Sequence, residues 1–378
     1  MEWLSKQFEQ MVSLVERWSN INSFSYNREG LDRMFEEVDK VFSSSLFPEE
    51  KKTLDLPNGK ALFLKKRKQA PFQVLFGGHF DTVFSPEHPF QKVTYIDDNT
   101  LQGPGVCDMK GGLVVMLKVL EALEQSGNSQ IGWEILLNPD EEIGSPYSSP
   151  LFESAAKRCD LALIFEPTLE NGSFVSARKG SSIFLVESKG KAAHAGREPQ
   201  KGINAIYPLA RFISEVESFH SVENGDIVNV GIIQGGSRVN IVPEHAQCAL
   251  MIRSWKPTPL EQKVIKSAHK MGLEIHRKGH RPAKPLDTKT EALFKALQKC
   301  GQQLGLTLKW EKSGGVCDGN ITAHAGTPTL DSLGVRGANI HTDEEIIHLN
   351  SLVEKAQLIY LFLNELAQGN IPLQRRKK

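Results

Sequence analysis

Two histidines and a series of carboxylates stand at the ends of apolar stretches in this chain, and their types suit metal-assisted hydrolysis. His79 and Asp81 sit in GGHFDTV, residues 77–83. Where such a stretch ends an extended strand, both side chains share one face. A neutral imidazole can then ligate a metal through one nitrogen while its other N–H donates to the carboxylate, which fixes tautomer and ring orientation. Asp108 lies in GPGVCDMKGG, residues 103–112, where glycines let the backbone turn tightly and bring a carboxylate close to another group. Asp140, Glu141 and Glu142 follow a strongly apolar run, and three adjacent carboxylates there need cations or water. Adjacent glutamates diverge, so one can bind metal while its neighbour serves the substrate water as general base. Glu166 ends the apolar run LALIF, residues 161–165, and His341 follows GVRGANI, residues 334–340.

Taken singly, each group has a plainer reading: a polar loop start, a helix-capping aspartate, a solvated acidic turn, a strand-capping glutamate, a structural histidine. Together His79, Asp108, Glu142, Glu166 and His341 supply two imidazoles and three carboxylates, a donor set suited to zinc. Two metals ~3.5–4 Å apart, sharing a carboxylate and a water, would make a hydrolytic centre. The glycine-dense loop carries neither GxGxxG nor GxxxxGK[ST], so a nucleotide cradle has no motif behind it.

The elements that must position these groups follow from periodicity. Apolar spacing predicts helices over residues 3–18 and 31–41, then strands over 61–64 and 73–76, the second running into Gly77 and Gly78. A helix is expected over 113–125, strands over 133–137 and 161–165, with the acidic residues 140–142 in the loop between them. Strand, helix, strand in this rhythm implies a parallel or mixed α/β sheet. From about Lys179 the pattern changes to strands over 182–188, 227–234, 247–252 and 274–278, with helices over 205–216 and 260–270. That β-α-β-β-α-β order is ferredoxin-like. Helical and α/β texture returns after Pro282. The expectation is an α/β domain with a mixed central sheet flanked by helices, formed by residues 1–178 and 283–378, with an inserted α+β domain at 179–282.

With 45 Lys and Arg against 45 Asp and Glu, no net charge draws the protein to nucleic acid or to an anionic membrane. The basic runs at 65–68 and 375–378 read as a solvated turn and a frayed tail. Five cysteines without a CxxC pair argue against a disulfide framework and for a reducing compartment. The N-terminal stretch carries acidic residues and helical apolar spacing, unlike a signal peptide, and no apolar run reaches the ~18 residues that a membrane span needs. The localisation read from the sequence is cytoplasmic.

GGHFDTV, GPGVCDMKGG, PDEEIGS and the His341 segment, in that order across nearly the whole chain, resemble four blocks of the M20 dinuclear-zinc peptidases. That family includes glutamate carboxypeptidase, acetylornithine deacetylase, succinyl-diaminopimelate desuccinylase and aminoacylase. The resemblance implies that His79 and Glu166 hold one metal, His341 and Glu142 the other, and that Asp108 bridges them. Asp81 would orient His79, and Glu141 would be the general base. GKAAHAG (190–196), Pro199 and GINAI (202–206) resemble the family's lid and dimerisation domain, in which His194 would reach a neighbouring subunit's site and stabilise the oxyanion. Asn240 resembles a substrate-positioning asparagine, and Arg253 and Arg281 resemble arginines that hold a free carboxylate. Gly314, Gly315 and Asp318 resemble the glycine-rich substrate loop.

The implied cofactor is two Zn2+ per chain, with Co2+ or Mn2+ as substitutes, and the implied assembly is a homodimer through the inserted domain. The implied substrate is a small peptide or N-acyl amino acid cleaved beside a free carboxylate, with no nucleic-acid or membrane partner. The resemblance leans toward glutamate carboxypeptidase. An N-acyl-amino-acid deacylase like acetylornithine deacetylase is the alternative within the class, and a non-catalytic metal-binding homologue the alternative outside it. Cys107, where the family often has alanine, suggests a site sensitive to oxidation.

Overall fold

Alternation along the strands decides which layers form. In the computed structural model, which describes residues 1–373, Val74 and Phe76 of the strand Phe72–His79 enter one apolar cluster, and Leu75 between them enters another. The strand Leu161–Ile164 divides in the same way, Leu161 and Leu163 to one face and Ala162 and Ile164 to the other. A strand buried on both faces needs cover on both. On one face lie the helices Phe8–Ser19, Arg28–Leu46, Gly111–Gln125 and Asn350–Ala367; on the other lie Ser149–Arg158 and Asp318–His324. The helix Gly111–Gln125 is apolar almost all round and buried accordingly. Each large side chain sealed here, such as Trp133 or Phe76, contributes about 1.5–3 kcal/mol by leaving water. The basic run 375–378 lies outside the described residues.

The six-stranded sheet of this unit runs Glu50–Asp55, Lys60–Lys66, Ile131–Asn138, Phe72–His79, Leu161–Ile164, Thr329–Leu330. The first two pairings are antiparallel and the last three parallel. Phe72–His79 lies among the parallel strands, with His79 opposite Asn138 and Gly77 opposite Ile164. The carboxyl ends of three neighbouring parallel strands are thereby aligned at one edge, where α/β sheets gather their ligands. The unit comprises Met1–Ser176, Leu286–Lys312 and the described residues from Cys317 onward. The N-terminal helix expected as one piece is split into Glu2–Ser5 and Phe8–Ser19.

The second unit is Ala177–Pro285 together with Ser313–Val316. Its antiparallel sheet runs Ile227–Gly235, His245–Ser254, Gly180–Lys189, Glu274–Arg281, and the helices Ile206–Glu217 and Pro257–Lys270 share its core. Numbered along the chain, the strand order is 2-3-1-4, the ferredoxin-like arrangement of a β-α-β-β-α-β chain. Phe184 and Val186, Cys248 and Leu250 point inward against Leu209, Phe212, Leu260 and Val264. The edge strand Ile227–Gly235 is largely exposed, Ile232 at 56% and Ile233 at 61%.

Candidate metal centre and active site

Three ligand candidates come from the aligned strand ends. His79 is the last residue of its strand, Glu142 follows the strand Ile131–Asn138 by a short loop, and Glu166 lies two residues past Ile164. Asp108 comes from the segment Val106–Lys110, which leads into the helix Gly111–Gln125. Glycine is needed twice here. Gly105 has φ +71°, a left-handed conformation, and a Cβ on Gly112 would stand 2.0 Å from the Phe165 carbonyl oxygen. His341 sits in a turn and is itself left-handed at φ +65°, an uncommon conformation for a side-chain-bearing residue.

These five residues meet around Asp108. Its Oδ1 is 3.2 Å from His79 Nε2, and its Oδ2 is 3.3 Å from His341 Nε2. Glu166 Oε1 lies 3.7 Å from His79 Nε2, and Glu142 Oε2 lies 3.2 Å from His341 Nε2. Two donor groups result, His79 with Asp108 and Glu166, and His341 with Asp108 and Glu142, each within 4.8 Å and sharing one carboxylate. Ligands ~2.1 Å from one ion at tetrahedral angles stand about 3.4 Å apart, so the observed spacings fit two zinc-like ions. Their N and O donors suit a borderline divalent metal.

Asp81 closes the arrangement from behind. Its Oδ1 is 3.3 Å from His79 Nδ1 and accepts the Glu141 N–H at 3.1 Å, while Oδ2 accepts the Glu142 N–H at 3.1 Å and the Ser25 hydroxyl at 2.7 Å. Asp140 is not a ligand candidate. It accepts the N–H groups of Tyr147 and Ser148 and the Asn138 amide, which folds the acidic loop. Asp318, expected on a substrate loop, is instead 1% exposed and accepts from Asn138 and Ser145 beneath that same loop.

The electrostatics are those of a cation site. Burial opposes charge on His79, yet its bonds to Asp108 and Asp81 hold its pKa well above the usual imidazole range. His341 is pushed up to about 11 by Asp108 and Glu142. Burial works against the Asp108 carboxylate, but His341 and His79 hold it well below the ordinary range. Burial and the neighbouring Asp108 charge push Glu142 up to about 8.

Sequence reasoning missed Glu345. Buried at 1% exposure, it accepts the N–H groups of Cys107 and Asp108 on Oε1, at 2.9 and 3.0 Å, and that of Gly105 on Oε2 at 3.0 Å. Burial first, then the Asp108 charge, push its pKa up to about 7. In HTDEE it looks like part of a solvated acidic run, and its spacing from His341 is the one trace it leaves in the sequence. Cys107, the residue that suggested sensitivity to oxidation, lies in a cavity wall and is nearly sealed there. It is 1% exposed, and burial together with Glu345 and Asp108 raises its thiol pKa well above the ordinary value, so little reactive thiolate forms.

The remaining candidates lie in the second unit. His194 and Asn240 are adjacent: His194 bridges Ile241, and the Ala195 N–H donates to the Asn240 carbonyl at 2.9 Å. The Gly196 N–H donates to His194 Nδ1 at 3.2 Å, so neutral His194 carries its proton on Nε2. Arg253 and Arg281 are both in register with Ser181, one on each neighbouring strand, and therefore share a face. Arg253 also donates to the Gly314 carbonyl at 2.8 Å. A further group, Glu187, Glu274 and His276, lies on the exposed sheet face with Lys189 paired to Glu274.

A family model described as Peptidase family M20/M25/M40 matches residues 75–365. The chain is 25% identical over 378 residues to carboxypeptidase G2 of Pseudomonas sp. (strain RS-16), covering 95% of this chain and 90% of that protein. It is 25% identical over 335 residues to a succinyl-diaminopimelate desuccinylase from a Nitratiruptor species, covering 82% and 88%. Its fold matches the M20 family metallo-carboxypeptidase Sso-CP2 of Sulfolobus solfataricus with TM-score 0.76 at 16% identity, over 95% of this chain and 99% of that one.

Proposed function

The chain belongs to peptidase family M20/M25/M40, and from that membership we propose that it is a two-metal exopeptidase that releases a C-terminal amino acid from a small peptide or conjugate. The observation that carries this reading is the Asp108 carboxylate, one oxygen facing His79 and Glu166, the other facing His341 and Glu142. When bound, two divalent ions, taken to be Zn2+, would polarise the scissile carbonyl and acidify a water.

The chain's own residues do the rest. Glu141, 8% exposed and anchored through its backbone by Asp81, takes a proton from the attacking water and returns it to the leaving amine. Asp81 holds the His79 ring through Nδ1, leaving Nε2 toward Asp108. His194, with its proton on Nε2, is the donor to the oxyanion. Arg253 and Arg281, on one face, present planar donors to a substrate carboxylate, and Asn240 beside His194 positions the amide.

Substrate size is supported by a cavity of about 480 Å³ in the metal-bearing unit, with Thr168, Leu169 and Ile340 in its wall. These residues adjoin Glu166 and His341 in the chain, and we assign the acyl side to this cavity on that proximity. An N-acyl-amino-acid deacylase would use the same centre, and the likeness to a desuccinylase keeps that reading in view. The assembly we infer is a homodimer through the apolar edge strand Ile227–Gly235, in a reducing compartment where the five buried cysteines stay free. Among the described residues no helix is long and apolar enough to cross a membrane.

The test is elemental analysis of purified protein together with hydrolysis of N-acyl amino acids and glutamyl-terminated dipeptides, with and without chelator. About two metals per chain and chelator-sensitive release of a C-terminal amino acid are expected. Release of acetate or succinate alone would move the assignment to the deacylase. A protein that binds no metal and cleaves nothing after zinc is restored would overturn both.

A further inference from the structure

We propose that Glu345 is the positioning residue of the two-metal centre, setting the bridging Asp108 against His341 by clamping the loop that carries it. This rests on the metal-centre reading above. Asp108 and His341 come from segments far apart in the chain, and their approach, Oδ2 to Nε2 at 3.3 Å, needs something to hold it. Glu345 touches both segments. Its side chain accepts three main-chain N–H groups, from Gly105, Cys107 and Asp108, and its carbonyl accepts a fourth from Gly103 at 3.1 Å. Its own N–H donates to Thr342, next to His341, at 3.2 Å.

The choice of glutamate has a physical reason. The Gly103–Asp108 loop has turned away from regular structure, so its N–H groups need acceptors from elsewhere. One carboxylate offers enough lone pairs to serve them together and fixes both the height and the tilt of the Asp108 backbone. A neutral side-chain amide would serve only some of them. The buried Lys110 ammonium interacts electrostatically with Glu345 without a close ion pair, and a buried carboxylate gains from nearby positive charge. Divalent ions held by Asp108, His79 and His341 would supply such a charge. Supporting partners of this kind commonly change metal affinity or activity 10–100-fold when lost.

The experiment compares wild type, Glu345→Gln and Glu345→Ala in metal-free and metal-loaded form. Glutamine keeps one acceptor oxygen, which can still serve Cys107 and Asp108, but turns an NH2 toward the Gly105 N–H. Alanine removes every side-chain acceptor. Metal affinity is read by chelator competition, the ligand field by the visible spectrum of cobalt-loaded protein, and kcat separately from KM. The expected order is wild type, glutamine, alanine, with the more weakly held ion losing about 10–100-fold in affinity, a shifted cobalt spectrum, and kcat falling while KM holds. If alanine does not fold, glutamine alone decides the matter. A folded glutamine variant with wild-type affinity, spectrum and kcat overturns the proposal, even if its melting temperature drops, since that is a structural role only. Wild type that binds no metal overturns the function proposed above, and this proposal with it.

Discussion

The Asp81 carboxylate accepts the main-chain N–H of Glu141 at 3.1 Å through the same oxygen that faces His79 Nδ1. One side chain therefore orients the His79 imidazole and fixes the loop from which Glu141, the proposed general base, projects. In Asp81→Asn an NH2 must face the N–H of either Glu141 or Glu142, leaving one buried donor unpaired at a cost of about 1–3 kcal/mol. The expected result is a lower melting temperature and a kcat reduced about 10–100-fold with metal still bound. Steady-state kinetics with metal analysis would check it, and unchanged kcat would remove the orienting role.

Neighbouring glutamates should behave differently. Glu142 is within 3.2 Å of His341 and belongs to a donor group, whereas Glu141 belongs to neither. Glu141→Ala is expected to keep two metals per chain and lose about 10²–10⁴-fold in kcat. Glu142→Ala is expected to lose metal first. Metal loss in the Glu141 variant would reverse the two assignments.

The pH dependence of the metal-free protein has a definite sign. His341 is raised from 6.5 to about 11 and Glu142 from 4.5 to about 8, so over the range between these values the folded state holds more protons than the unfolded one. The His341 contribution is complete below pH 6.5 and fades as pH rises through about 11. Raised Glu142 likewise makes folding less favourable as pH climbs from 4.5 toward about 8. Stability from these groups falls with rising pH. Metal must displace those protons, so its affinity should rise with pH. Melting curves of chelator-treated protein at pH 6 and pH 8, with proton release followed during metal titration, measure both. A metal-free protein more stable at pH 8 would contradict the assignment.

What could be read from the sequence were groups whose neighbours announce them. His79 and Glu166 end apolar runs, and Asp108 sits among glycines, so type and setting coincide. The edge strand Glu50–Asp55 was missed because it exposes charged side chains and has no apolar face to betray it. Glu345 and the loop-folding role of Asp140 were missed for another reason. Their partners are main-chain N–H groups, which every residue but proline carries and which leave no mark in a sequence. Asp318 looked like a substrate residue beside Gly314 and Gly315, but the Asn138 amide and the Ser145 hydroxyl enclose it.

Cys107 offers a negative control. Its thiol is buried against Gly337, where an added Cβ would stand 2.6 Å from Sγ, and its raised pKa leaves little thiolate. Peroxide under native conditions should leave Cys107 unmodified by mass spectrometry and the activity equal to that of Cys107→Ala. Modification that appears only in denaturant would agree, whereas oxidation of native protein with loss of activity would restore the redox reading.

The edge strand Ile227–Gly235 tests the dimer. It pairs with His245–Ser254 on one side, and Ile232 and Ile233 stand exposed on opposite faces of it. An apolar edge in water invites pairing with a second copy. Glutamate at either position places a charge where two copies would meet, with little consequence inside the unit because both side chains already face water. Ile233→Glu should therefore convert a dimer to a monomer in sedimentation velocity while leaving the melting temperature of the isolated chain and the metal content near wild type. If His194 serves the neighbouring copy's site, the same monomer loses about 10²–10³-fold in kcat, the usual effect of removing one oxyanion donor. A monomer that keeps full kcat would place the oxyanion donor within one chain, and a dimer that survives the substitution would move the interface away from this edge.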